Sequence, residues 1–89
     1  MLERRFIPRA GRNLIYSGKA FISFTSLSSN ESIECTDIQL LQLENGIYEL
    51  QSQKQAVAFR ILITTDSGRA WGGIVVEQAP GVTRFVQRE

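Results

Sequence analysis

Arg4, Arg5 and Arg9 are the residues whose type and spacing most directly suggest chemistry. The stretch Arg5-Phe6-Ile7-Pro8-Arg9 sets two guanidinium groups four residues apart, with Arg4 beside the first. A guanidinium is a planar fork that grips phosphate oxygens through paired hydrogen bonds and can stack on a base. Pro8 fixes its own φ and keeps Ile7 extended, so an arm is expected here rather than a helix. With Arg12, and against Glu3, residues 1–12 carry +3, whereas six basic and eight acidic residues leave the remainder at −2. Such an asymmetry suits an anionic ligand that bears phosphate.

Other chemistry is missing. The chain has no histidine, which removes the commonest general base and the commonest zinc ligand. A Ser-His-Asp or Cys-His arrangement is therefore impossible. Cys35 is the one cysteine, so no internal disulfide can form, and a zinc site is not expected. No paired carboxylates stand in a suggestive context. The chain is thus expected to be no enzyme and to carry no cofactor. A lone cysteine fits a reducing compartment, so a cytoplasmic location is expected. The apolar runs are too short to span a bilayer, and no apolar region follows Met1-Leu2-Glu3-Arg4-Arg5, so neither membrane insertion nor a signal peptide is expected.

A second polar stretch, Ser26 to Ser32, holds Ser28, Asn30 and Ser32. With the arm, it resembles the PilZ family. Members of that bacterial signalling family bind cyclic di-GMP through an N-terminal R-x-x-x-R arm and a later Asp/Asn-x-Ser-x-x-Gly motif on a six-stranded barrel. The resemblance implies that Arg5 and Arg9, with Arg4 beside them, hold the phosphates and a guanine face, and that Ser28, Asn30 and Ser32 complete the site. The second motif departs from the family pattern. Starting at Ser26, serine replaces the acid or amide and Glu31 replaces the glycine; starting at Asn30, Cys35 takes the glycine position. Glu31 or Glu34 beside a phosphate would repel it.

Two further readings stand beside this one. An OB- or SH3-like barrel would run a nucleic-acid backbone along Arg4, Arg5, Arg9, Arg12 and Lys19 and stack bases on Phe6, Tyr16 or Trp71. The acidic balance beyond residue 12 speaks against it. A protein–protein adaptor would offer a sheet edge or an apolar patch and needs no ligand.

The elements that must position these residues read as β throughout. One small domain, residues 13–89, is expected behind the arm of residues 1–12, as an all-β antiparallel barrel of about six strands. Its centre is the hairpin from Ala56 to Val76, turned at Asp66-Ser67-Gly68. There Val57, Phe59, Ile61 and Ile63 alternate onto one face. Asn13 to Thr25 reads either as a hairpin about Gly18 or as one strand bulged there. Ile33 to Leu43 reads as a strand whose apolar phase breaks near Asp37, with Cys35 in or near the core. Asn45-Gly46 predicts a type I′ turn pairing Leu43 with Tyr48 and Leu41 with Leu50, with Gln42, Glu44, Glu49 and Gln51 facing water. Trp71 is expected half-buried, and Gly72-Gly73 to mark a bulge or a close approach. Pro80-Gly81 leads into a last strand over Val82 to Val86.

Overall fold

The computed structural model describes residues 13–87; Arg4, Arg5, Arg9 and Arg12 lie outside them. Six strands follow in order: β1 (Asn13–Thr25), β2 (Glu31–Glu44), β3 (Ile47–Ser52), β4 (Arg60–Thr64), β5 (Ala70–Ala79) and β6 (Val82–Gln87). They close into an antiparallel barrel in the order β1-β2-β3-β6-β5-β4, with β4 returning to β1. No helix occurs among the described residues, so the expected all-β barrel is the fold.

Alternation builds the core. Ala20, Ile22 and Phe24 of β1, Ile38 and Leu40 of β2, Tyr48 and Leu50 of β3, Ile61 and Ile63 of β4 and Phe85 of β6 all point inward. Tyr48 and Phe85 stack with ring centres 5.4 Å apart. At one mouth Tyr16 and Trp71 pack together at 5.8 Å and seat against this core. Gly73 lets the barrel turn tightly there: a Cβ on it would lie 1.9 Å from the Val86 carbonyl oxygen. The expected close approach is thus one of backbone on backbone.

Residues 53–59 cross from β3 to β4 at the other mouth. These strands are not neighbours; Phe59 is held by backbone bonds to Thr25 and Val75 (3.0 and 2.8 Å), and the residues before it must satisfy their backbone largely through side chains. Gln78 accepts from the Ala58 amide (3.1 Å) and donates to the Ala56 carbonyl (2.9 Å). Gln55 donates to the Val82 carbonyl (2.9 Å) and accepts from the Gly81 amide (2.8 Å). The strand expected from Ala56 therefore starts only at Arg60. Val57 and Phe59 leave the inner face, and Val57 is 90% exposed.

Four other expectations are corrected. β1 runs unbroken through Gly18, and its irregularity sits at Ile15. β2 pairs with β1 without a slip from Leu40 to Glu31, so no phase break lies at Asp37. The break is at Leu43, an extra residue between the pairs Gln42–Tyr48 and Glu44–Ile47. It slips the hairpin by one, so Leu40, not Leu41, faces Leu50. Among the described non-glycine residues only Ser29 has positive φ. Asn45 therefore has negative φ while Gly46 has +80°, the signs of a type II rather than a type I′ turn.

With the break displaced, parity carries straight from Ile38 and Leu40 back to Glu34, and Cys35 falls on the outside. It is exposed, not a core residue. Glu49 reverses the other way. It points outward yet is buried, because Arg84 of β6, its ladder partner, covers it at 3.1 Å while the Gln51 amide donates to it at 2.7 Å. Arg84 also reaches Glu77 at 3.0 Å, so a charged row crosses β3, β6 and β5.

Candidate functional site

Ser28 and Asn30 lie in the tight connection between β1 and β2, and Ser32 is the second residue of β2. The connection is shorter than the expected loop, because β2 already begins at Glu31. Ser26 organises it: its amide donates to the Asn30 carbonyl at 2.9 Å, and its hydroxyl lies 2.9 Å from that of Ser28. Ser28, Asn30 and Ser32 are all exposed. They sit at the far end of β1 from Asn13, a contour of about 40 Å for a strand of this length. The aromatic residues considered for base stacking also have other work. The Arg69 guanidinium lies 4.6 Å over Trp71 and 5.8 Å over Tyr16 while donating to the Ile15 carbonyl at 3.3 Å, closing the mouth. Among the described residues no cluster of three or more His, Cys, Asp or Glu could hold a metal ion, and no helix is long and apolar enough to cross a membrane.

The feature that stands out is the outer face of β2, β1 and β4. Inward alternation on these strands places every second residue outside, and several of those are apolar. Ile33 is 64% exposed, Leu62 48% and Phe21 44%. Ladder register makes them neighbours. Ile33 and Leu62 each pair with Ser23, from opposite sides, and Phe21 pairs with Cys35 one step along β1. Leu62 in turn pairs with Gly72, whose missing side chain leaves a shallow dent. The dent, about 370 Å³, is bounded by Ser23, Leu62, Gly72 and Arg60 among others. It cannot be filled cheaply from within, since a Cβ on Gly72 would lie 2.9 Å from the Ile61 carbonyl oxygen. Thr25 separates Glu31 from Arg60 at the edge of this face, each charge one strand away. Glu31 also accepts a hydrogen bond from the Ser23 hydroxyl.

An apolar centre with a mixed-charge rim is the anatomy of a protein-binding patch. None of its apolar members was singled out from sequence. The signal was present in the parity of β2: once Ile38 and Leu40 face inward, Ile33 must face out. This chain matches no known family model, no curated protein and no solved structure.

Proposed function

We propose that this protein is a non-catalytic adaptor that docks a partner protein on the outer face of β2, β1 and β4. The contiguity of Ile33, Phe21 and Leu62 across the ladders, with the Gly72 dent beside Leu62, carries this reading. The partner fits if it inserts one apolar side chain into the dent and sets opposite charges against Glu31 and Arg60. A photo-crosslinking residue at Leu62 in cells should capture that partner, and one at Val57 should not. The purified partner should then lose about 2 kcal/mol of binding to Leu62→Asp, as for a central apolar anchor. Ile33→Asp should act alike and Val57→Asp should do nothing. A partner that binds both interface variants at full affinity refutes the face.

The arm carries the second reading. Arg5 and Arg9, four apart with Pro8 between them, suit a cyclic dinucleotide such as cyclic di-GMP. Calorimetry with cyclic di-GMP should give measurable heat with the wild type and a loss of about 1.5–3 kcal/mol for Arg5→Ala or Arg9→Ala. Lysine at either position should restore little, because a point charge lacks the paired grip. No heat with the wild type ends this reading and leaves the adaptor.

A further inference from the structure

The barrel is closed, but its strands are very unequal in length. β2 pairs with β1 from Glu31 to Gln42, yet with β3 only from Ile38 to Glu44. Over Glu31–Asp37 the side of β2 that should meet β3 has no strand beside it among the described residues. Seven residues of edge make a run of about 23 Å. Where β3 turns away at Ser52, the fork widens into a groove of about 930 Å³. It is lined by Asp37, Gln39, Gln51, Ser52, Gln53 and Gly81 among others. An unpaired edge beside an open groove has the shape of a site for strand addition.

Charge narrows the occupant. The edge carries Glu31, Glu34 and Asp37 and no basic residue. Two copies paired antiparallel about Glu34 would set Glu34 against its counterpart and Glu31 against Asp37. Like charges directly opposite destabilise such a ladder. The outer face of the edge reads Glu31, Ile33, Cys35, Asp37. A strand laid against it matches with basic residues at both ends of a seven-residue run and apolar residues at the third and fifth positions. We propose that Glu31–Asp37 receives an extended basic segment of another protein as an added strand running into the groove. This contact does not depend on Leu62 or the Gly72 dent.

A cyclised β-hairpin peptide tests it, because ring closure removes most of the ordering cost of a free strand. One strand carries arginine at its first and last positions, valine at the third and fifth, and threonine elsewhere; the control carries glutamate for arginine. With the intact protein, the arginine peptide should shift Glu31–Asp37 in NMR and protect in hydrogen exchange the alternate backbone amides of this run that point away from β1. The glutamate peptide should not. The double variant Glu31→Lys/Asp37→Lys, checked for an unchanged circular dichroism spectrum, should bind the arginine peptide at least about tenfold more weakly, from loss of two charge-assisted contacts. It should gain binding to the glutamate peptide. Absence of any response at Glu31–Asp37 with millimolar peptide overturns the proposal, as does equal binding of both peptides. So do edge amides already protected without peptide alongside dimers in sedimentation, since the occupant is then a second copy.

Discussion

Glycine 73 and glutamate 49 illustrate how single residues set the barrel. A Cβ on Gly73 would meet the backbone of Val86 and the Cα of Gln87, neither of which can swing aside. Gly73→Ala should therefore cost at least about 2 kcal/mol, in the range of overpacked cores, and urea denaturation should report it as a lower midpoint. An unchanged midpoint would mean that β5 and β6 part easily there. Glu49 makes the complementary point. A carboxylate on the outer face is buried because Arg84 lies across it, held in turn by Glu77. Gln51, two residues on, also donates to it, but Arg84 and Glu77 are far from Glu49 in sequence, so the cover that buries it is not announced locally.

Among the elements, the crossing of residues 53–59 has the least help from its own backbone. Two glutamines, Gln55 and Gln78, clip it to the β5–β6 hairpin, and both also donate to the hydroxyl of Thr83, which is buried. Gln78→Leu keeps the bulk but removes the bonds to Ala56, Ala58 and Thr83. It should cost about 2–4 kcal/mol, since buried backbone groups are left short of partners. Faster hydrogen exchange at the Ala58 amide should accompany the loss of stability; slow exchange there would show that another group takes over.

For the molecule as a whole, the long β1–β2 hairpin dominates. It supplies core residues on its inner side, Phe21 and Ile33 of the exposed apolar patch on its outer side, and the open edge beyond β3. Closure uses the strands unequally: β3 is paired along both sides over most of its six residues, whereas β1 meets β4 only over Phe21–Thr25, so its residues 13–20 have no ladder partner on that side among the described residues. The acidic edge of β2 is thus one of two open runs of this hairpin, and an apolar patch lies on the curved wall. The described residues hold five basic and seven acidic side chains, so the positive charge of the chain is concentrated in residues 1–12.

The amino-acid sequence alone determined the all-β class, the strand count, and the turns at Asn45-Gly46, Asp66-Ser67-Gly68 and Pro80-Gly81. Each rests on local chemistry: β-branched alternation, and glycine where φ turns positive. It also bounded the catalytic chemistry through the missing histidine. Register and side were decided by tertiary structure. The bulge at Leu43 depends on how β3 meets β2 and sets Leu40 opposite Leu50, while the unbroken β1–β2 ladder keeps Cys35 on the outside. The strand expected at Ala56 gave way to a crossing, because strand order, which no local pattern encodes, made β3 and β4 non-neighbours. The candidate docking face was half legible. Its apolar residues are plain to read, but alternation has two faces, and only the closed barrel selects which of them is filled by the core.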